Sequence, residues 1–223
     1  MAQRHALLVI GGDAPRRYVL PTLGNVDVVI CADSGFDHAL ALDLVPHVVI
    51  GDMDSIVDVD RARAHGSHIE EARPDKDFTD TELALAHALA DGATELTVLW
   101  GGGDRFDHVL GVLAALAAPD LARLDRLTAW VGDDRMHIVH GGRRARFGTE
   151  VGRTVSLVPL AGSAHGVTTT GLRWALDDSS LEGSRARGVS NIAVADTVSV
   201  SVRSGCVSVV LPAVSIESIA PQK

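Results

Sequence analysis

The chain has 223 residues, a hydrophobic fraction of 46% and a formal net charge of −9. This composition predicts a folded protein with one large domain or two small ones, and it excludes a disordered chain. The acidic balance disfavours general nucleic-acid binding, which requires a basic surface. The N-terminal apolar run is too short for a signal peptide or a membrane span, and the two cysteines, Cys31 and Cys206, fit buried free thiols. We therefore expect a cytoplasmic protein.

Residues 6–140 alternate short apolar runs with helical patterns. Strands are predicted at 6–10, 26–31, 48–50, around Ile69 and at 95–100. Helices are predicted at 36–44, 57–65, 79–90 and 106–118. The third helix is the clearest, because Thr79 and Glu82 form the capping-box pattern Thr-x-x-Glu before a run of leucines. This alternation predicts a doubly wound, mostly parallel sheet with helices.

The pattern changes near Gly141, where helical periodicity ends and β-branched alternation begins. Strands are predicted at 154–158, 166–170 and 197–202, and a hairpin is predicted over 202–207 with Gly205 in the turn. We therefore predict two domains, an α/β domain over residues 1–140 and a small all-β domain over residues 141–223.

Acidic residues follow four successive predicted strands of the first half. They are Asp33, then Asp52 and Asp54, then Asp75, Asp77 and Asp80, and finally Asp104 and Asp107. Ligands of open α/β sheets bind outside the carboxyl ends of the strands, so these carboxylates are expected to meet there. They would repel each other unless a cation or a proton joins them, and Mg²⁺ shared with substrate phosphates is the simplest solution. The pattern indicates phosphoryl-type transfer, although a turn at 51–55 and a helix-dipole partner at 75–80 are simpler interpretations.

The segment GGGDRFDH at 101–108 joins a predicted strand to a predicted helix. Its glycines, Gly102 among them, let a ligand approach the backbone, and the helix N-terminus that follows favours phosphate. Arg105 offers a planar fork for phosphate oxygens, and Asp107 is placed to orient it or to hold metal. The chain contains neither a Walker A loop nor a GxGxxG pattern, which excludes an ordinary P-loop kinase and a standard Rossmann dehydrogenase.

Taken together, these segments resemble the thiamine pyrophosphokinase family. The matching segments are CADSG (31–35), GDMDS (51–55), DKDFTDTE (75–82), GGGDRFDH (101–108), TTGLRW (169–174) and GVSN (188–191). The resemblance implies an N-terminal α/β domain, a C-terminal β-sandwich, and a homodimer whose thiamine sites lie near the subunit interface. It also implies the conversion of ATP and thiamine to AMP and thiamine diphosphate, with Mg²⁺ as the cofactor.

The resemblance also implies roles for individual residues. The implied Mg²⁺ ligands are Asp52, Asp54, Asp77 and Asp80, and the implied catalytic groups are Asp54, Asp80, Arg105 and Asp107. ATP and its phosphates are expected at Asp33, Lys76, Thr79, Gly102 and Arg105, and thiamine at Trp174, Ser190 and Asn191. Two alternatives stay open: a pyrophosphokinase acting on another hydroxymethyl heterocycle, such as a pterin alcohol, and a nucleotide- or thiamine-binding regulator without catalysis. The aspartate that accepts the substrate proton also stays open.

Overall fold

The structure, a computed structural model, describes residues 3–53, 59–73, 77–103 and 105–212. The first half alternates strands and helices, as its sequence pattern predicts. Its strands are β1 (His5–Val9), β2 (Val28–Ala32), β3 (Val48–Gly51), β4 (His68–Glu71), β5 (Glu95–Trp100) and β6 (Arg126–Val131). Its helices are α1 (Gly35–Ala41), α2 (Val59–Ala64), α3 (Asp80–Ala90) and α4 (Phe106–Leu116), with 3-10 turns at Arg17–Thr22 and Pro119–Arg123.

The second half contains only strands among its described elements. They are β7 (Asp134–His140), β8 (Arg143–Gly148), β9 (Thr154–Thr170), β10 (Ser179–Leu181), β11 (Asn191–Ile192), β12 (Thr197–Val202) and β13 (Ser204–Leu211). The strand order is β4-β3-β2-β1-β5-β6-β7-β13-β9-β12-β8. The first six strands of this order are parallel to their neighbours, and the pairings from β6–β7 onward are antiparallel.

The central strand β1 explains why the first half folds as layers. All five of its residues are buried, which is typical of a parallel strand covered on both faces. Ala6 and Leu8 pack on the side of α3 and α4, whereas Leu7 and Val9 pack on the side of α1 and α2. Because side chains alternate along a strand, one apolar run supplies two cores. The predicted doubly wound sheet is therefore confirmed.

The second half forms the predicted β-sandwich around a separate core. Val207 and Val209 of β13 enter this core from one layer, and Val198 and Val200 of β12 enter it from the other. The long strand β9 joins the layers, since residues 156–160 pair with β13 and residues 168–170 pair with β12. Positive φ angles at Ala161 and Gly162 mark the bend between these halves. The two strands predicted at 154–158 and 166–170 are thus one bent strand.

The hairpin predicted at 202–207 is wrong. β12 pairs with β8 and β9, whereas β13 pairs with β7 and β9, so the two strands lie in different layers. Gly205 has a φ of +85°, but it serves a close approach, since a Cβ there would lie 2.5 Å from the carbonyl oxygen of Ser163. Both strands point alternate valines into the same core. They do so from opposite layers, so they face each other across the core instead of pairing.

The first sheet continues past the domain boundary predicted at residue 140, because β7 pairs along its length with β13. The boundary itself stays a prediction. Among the described residues, no helix has both the length and the apolar character needed to cross a membrane.

Candidate active site

Three of the predicted acidic residues converge at the carboxyl edge of the parallel sheet. Asp33, Asp52 and Asp80 each offer a carboxylate oxygen, and these oxygens lie within 4.8 Å of one another. Asp33 follows β2, Asp52 follows β3, and Asp80 is the first residue of α3. All three side chains are half-buried. Chain segments that are far apart in sequence therefore build one carboxylate group, as the position of the strand ends requires.

The end of β3 explains why Asp33 can enter this group. The amide of Asp33 donates to the carbonyl of Ile50 at 3.0 Å, and Asp33 adopts a left-handed φ of 46°. A Cβ at Gly51 would overlap the carboxylate of Asp33. Only glycine at position 51 therefore leaves room for this carboxylate beside Asp52.

Helix α3 holds the third carboxylate through its N-cap. The hydroxyl of Thr79 donates to Glu82 at 2.8 Å and accepts from the Glu82 amide at 3.2 Å, while the Thr79 amide donates to the Glu82 carboxylate at 2.8 Å. This is the predicted capping box, and it fixes the first helical residue, Asp80. The N-terminal end of the helix dipole also favours the negative charge of Asp80.

A cavity of about 400 Å³ opens beside the carboxylate group. Its described lining comes from the ends of β1, β2 and β5 and from the first turns of α3 and α4, and it includes Asp33, Thr79, Asp80, Gly103, Asp107 and His108. Gly11 and Gly12, directly after β1, also line it. No role is predicted for these two glycines from the sequence, although a Gly-Gly pair directly after a strand is a signal for a ligand-binding turn.

Two glycine loops interlock at the floor of this cavity. The amide of Asp13 donates to the carbonyl of Gly102 at 3.0 Å, and a Cβ at Gly101 or Gly103 would overlap Asp13. His38 of α1 contacts the carbonyl of Gly12 through Nε2 at 2.9 Å. Gly103 lines the cavity, whereas the carbonyl of Gly102 accepts the hydrogen bond from the Asp13 amide. The predicted phosphate role of Gly102 stays a prediction.

Asp107 of the cavity lining forms an ion pair with Arg105. Nε of Arg105 lies 3.2 Å from Oδ1 of Asp107, and Nη2 lies 2.6 Å from Oδ2. Both side chains are exposed, at 67% and 63%. The hydrogen bond from Arg105 holds the pKa of Asp107 below its usual value. This two-point contact is the geometry that a guanidinium also uses for phosphate, so Asp107 orients the fork and a phosphate would compete for it.

Not every predicted metal or phosphate ligand lies in the described carboxylate group or cavity. Asp54 and Lys76 lie outside the described residues. Asp77 is exposed and does not belong to the carboxylate group formed by Asp33, Asp52 and Asp80. Asp33, which the sequence analysis assigned to ATP rather than to metal, does belong to it. These role assignments stay predictions.

The predicted thiamine residues lie in the β-sandwich and do not line the carboxylate cavity, whose described lining spans residues 10–112. Trp174 is 58% exposed, with the Arg173 guanidinium 5.6 Å from its ring centroid. Ser190 is exposed, and its amide donates to Ser156 Oγ at 3.0 Å.

Asn191 is buried and its amide is engaged within the protein. Oδ1 accepts from the amides of Trp174 at 3.1 Å and Ile192 at 2.8 Å. Nδ2 donates to the carbonyl of Trp174 at 2.9 Å. An amide side chain has two acceptor positions and two donor hydrogens, so one hydrogen stays available beyond these contacts. Asn191 therefore clamps the backbone of Trp174 and fixes where the exposed indole stands.

The carboxylate group and the cavity define a class of protein. Three carboxylates within reach of one cation give an all-oxygen donor set, which fits Mg²⁺. Glycine loops and an adjacent arginine fit phosphate oxygens. This arrangement at the carboxyl edge of a doubly wound sheet is typical of an α/β enzyme of the phosphoryl-transfer type.

Comparison of the chain with models of known protein families identifies the family to which it belongs. The model described as "Thiamin pyrophosphokinase, catalytic domain" matches residues 21–125, and "Thiamin pyrophosphokinase, vitamin B1 binding domain" matches residues 137–207. The chain belongs to the thiamin pyrophosphokinase family. The resemblance carried by its sequence motifs is confirmed.

Individual relatives agree with this assignment. The chain is 30% identical over 173 residues to thiamine pyrophosphokinase 1 of rice, a match that covers 70% of this chain and 62% of the relative. It is 26% identical over 178 residues to thiamine pyrophosphokinase of Bacillus subtilis, covering 77% and 81%.

Solved structures agree on the fold. The crystal structure of the Bacillus subtilis enzyme has a TM-score of 0.78 at 22% identity, covering 95% of this chain and all of that one. The thiamin pyrophosphokinase of Candida albicans has a TM-score of 0.72 at 17% identity, covering 94% and 89%.

Proposed function

We propose that this protein transfers the pyrophosphoryl group of ATP to the hydroxyl of thiamine, giving thiamine diphosphate and AMP. The observation that carries the proposal is the group of Asp33, Asp52 and Asp80 beside a glycine-lined cavity in a chain of this family. A binding protein without catalysis gains nothing from three clustered carboxylates, because they repel each other and anionic ligands alike.

In this reaction the hydroxyl oxygen of thiamine bonds to the β-phosphorus of ATP, and the bond from that phosphorus to the bridging α-oxygen breaks. AMP leaves with the bond's electron pair, and the hydroxyl proton passes to a carboxylate or to water. A Mg²⁺ ion held by the three carboxylates would neutralise charge on the polyphosphate. Asp80 lines the cavity, as does Asp33, and either carboxylate is a candidate for the proton acceptor.

The other residues of the cavity position the triphosphate. Gly11, Gly12 and Gly103 line the cavity, and backbone without side chains lets phosphate oxygens come close to it. Arg105 is paired with Asp107, which lines the cavity, and it takes the charge that develops on the transferred group. Pyrophosphoryl transfer depends mainly on such positioning and charge neutralisation.

We also propose that the active unit is a homodimer in which the sandwich of one subunit completes the cavity of the other. In support, no described residue of the sandwich lines the carboxylate cavity, while Trp174 stands 58% exposed on a clamped backbone. An exposed aromatic ring on a backbone that is held in place fits a face that meets a ligand or a partner.

We further propose a cytoplasmic location. Cys31 and Cys206 are both free and buried. Burial raises the pKa of Cys206 to about 12 and raises that of Cys31 as well. Such thiols are inert structural groups, which suits a reducing compartment.

A coupled assay for AMP release tests the reaction. Purified protein with Mg²⁺ and ATP should release AMP when thiamine is added, and thiamine diphosphate should appear in equal amount. A pterin alcohol in place of thiamine should release none. AMP release with the pterin alcohol alone would move the acceptor to another heterocycle, and no release with either would contradict catalysis.

A further inference from the structure

A tryptophan at the end of β5 lines the carboxylate cavity although its side chain is almost wholly buried. Trp100 is 3% exposed and belongs to the apolar core on the side of α3 and α4. It is also part of the cavity lining. Most of the indole therefore packs inside the protein, and only an edge of it reaches the cavity.

The edge of the indole that carries the ring nitrogen lies against Gly12. A Cβ placed on Gly12 would be 2.9 Å from Nε1 of Trp100 and 3.5 Å from its Cδ1. Gly12 has a φ of +96°, and it lines the same cavity. Position 12 therefore requires glycine both for its backbone conformation and for the indole beside it.

The indole N–H of Trp100 has no partner of its own in the described part of the chain. An indole nitrogen can only donate a hydrogen bond, and among the described residues Nε1 donates none. The atom is not sealed inside the protein, which agrees with its place beside the cavity. A buried tryptophan usually directs this N–H to an acceptor, so the acceptor is to be sought in a ligand of the cavity.

A hydroxyl group directly before α1 lies against the neighbouring glycine. Oγ of Ser34 would be 2.6 Å from a Cβ placed on Gly11, and Ser34 lines the cavity. Ser34 is the residue before α1, but its side chain makes no capping hydrogen bond to that helix. Within the described ranges the hydroxyl has no other hydrogen-bond partner. Two donors that are distant in sequence thus lie beside one Gly-Gly turn.

The Gly11–Gly12 turn is held by hydrogen bonds that use neither of these donors. The amide of Asp13 donates to the carbonyl of Gly102 at 3.0 Å, and Nε2 of His38 lies 2.9 Å from the carbonyl oxygen of Gly12. The indole N–H and the hydroxyl are therefore not needed to fix the turn, and both remain for a ligand.

We propose that Trp100 Nε1 and Ser34 Oγ donate hydrogen bonds to phosphate oxygens of ATP beside the Gly11–Gly12 turn. This inference rests on the function proposed above, because it requires ATP in the cavity. Phosphate oxygens are strong acceptors, and glycine lets them approach the backbone closely. Neutral donors suit this position, because Asp33 and Asp80 line the same cavity and would attract a cationic side chain in competition with the nucleotide.

NMR of the ¹⁵N-labelled indole groups tests the contact directly in the full chain. The chain has three tryptophans, so the indole signal that Trp100→Phe removes is the signal of Trp100. With Mg²⁺ and no acceptor, saturating ATP should move the proton signal of Trp100 Nε1 downfield, because a hydrogen bond to an anionic oxygen is short and strong. Adenosine should leave the signal in place. An unmoved signal at saturating ATP, or an equal shift with adenosine, would overturn the proposal.

Two variants measure how much each donor contributes. Trp100→Phe keeps an aromatic ring and loses the N–H, whereas Ser34→Ala loses only the hydroxyl. Each should weaken the binding of Mg²⁺–ATP about tenfold in calorimetric titration without an acceptor. Ser34→Ala and the indole signal of the parent keep the proposal testable even if Trp100→Phe does not fold.

Trp130→Phe and Ser204→Ala are the matched controls, because neither residue belongs to the described cavity lining. Both controls should bind ATP like the parent. Parental affinity in Ser34→Ala and in folded Trp100→Phe would overturn the proposal.

Neither measurement needs thiamine or turnover, so the contact and the reaction can fail separately. AMP release with thiamine, together with an unmoved Trp100 signal, would remove the contact and leave the reaction standing. A shifted signal and weakened variants without AMP release would uphold the contact and reject the reaction.

Discussion

At the scale of single residues, Asp80 has two structural roles that reinforce each other. It belongs to the carboxylate group, and it is the first residue of α3, where the capping box of Thr79 and Glu82 fixes the helix start. The positive end of the helix dipole stabilises its charge by about 0.3–1 kcal/mol. This offsets part of the repulsion from Asp33 and Asp52. The start of the helix therefore holds this carboxylate beside the other two.

Asp80→Asn should reduce turnover at least about a hundredfold, the scale of losing a key electrostatic group. The amide keeps the size of the side chain and loses its charge and metal affinity. Steady-state kinetics with thiamine and Mg²⁺–ATP measures the loss. Asp120→Asn is the matched control, because Asp120 is exposed and pairs only with Arg123 in the described contacts. Comparable rates for the two variants would remove Asp80 from the site.

Arg105→Lys should restore little of the function of Arg105. The guanidinium makes a two-point contact with Asp107, and the same planar fork fits phosphate, whereas lysine provides only a point charge. We expect kcat/KM to fall at least about tenfold, which corresponds to about 1.4 kcal/mol of transition-state stabilisation. A lysine variant within twofold of the parent would make Arg105 peripheral to the reaction.

At the scale of elements, the loop that carries Trp174 depends on a side chain from β11. Asn191 makes three hydrogen bonds with the backbone of Trp174 and Ile192 and is 5% exposed. A loop and a strand that lie 17 positions apart, at Trp174 and Asn191, are thereby joined without a helix or a disulfide. The buried side chain of Asn191 therefore holds the backbone from which the exposed indole of Trp174 projects.

Asn191→Ala should raise the KM for thiamine about ten- to a hundredfold and leave the KM for ATP nearly unchanged. The variant leaves the amide and carbonyl of Trp174 without partners, at a cost of about 1–3 kcal/mol. Asn191→Asp keeps Oδ1 as acceptor but loses the donor to the Trp174 carbonyl, so we expect an intermediate effect. Hydrogen exchange of the Trp174 amide should be faster in Asn191→Asp than in the parent, and fastest in Asn191→Ala. Equal changes in both KM values would indicate general destabilisation.

The elements differ in how far their sequence determines them. Helix α3 was predicted within one residue, because capping and leucine spacing are local signals. The pairing of β12 and β13 was not, because Val198 and Val207 alternate identically whether their strands pair or face each other across a core. Sequence period gives the face of a strand and not its partner.

The same limit applies to the site. Asp52 and Asp80 were assigned to metal from acidic motifs after strands, and the structure places them together. Asp33 was assigned to ATP by the family resemblance, and its place in the carboxylate group depends on the space left by Gly51. Asn191 was assigned to thiamine, yet three contacts engage it internally. The roles of Asp33 and Asn191 depend on distances between loops, and a local sequence pattern does not contain those distances.

At the scale of the whole molecule, the carboxylate cavity and the Trp174 face belong to different halves of the chain. The carboxylate group lies at the edge of the parallel sheet, and the exposed indole of Trp174 lies on the sandwich. No described residue of the sandwich lines the carboxylate cavity. A symmetric dimer that brings each sandwich to the partner's sheet would create two complete sites from two identical interfaces. Such a dimer would make activity depend on association.

Mixing two inactive variants tests that arrangement. Asp80→Asn damages the sheet part of the site and Trp174→Ala damages the sandwich part, so each homodimer should be nearly inactive. If a site takes its two parts from different subunits, half of the randomly reassociated dimers contain one intact site. Equal mixing should therefore restore about a quarter of the parental activity. If both parts come from one chain, every site keeps a defect, and the mixture stays as inactive as its components. Mixing Asp80→Asn with itself under the same dissociation and reassociation protocol is the control.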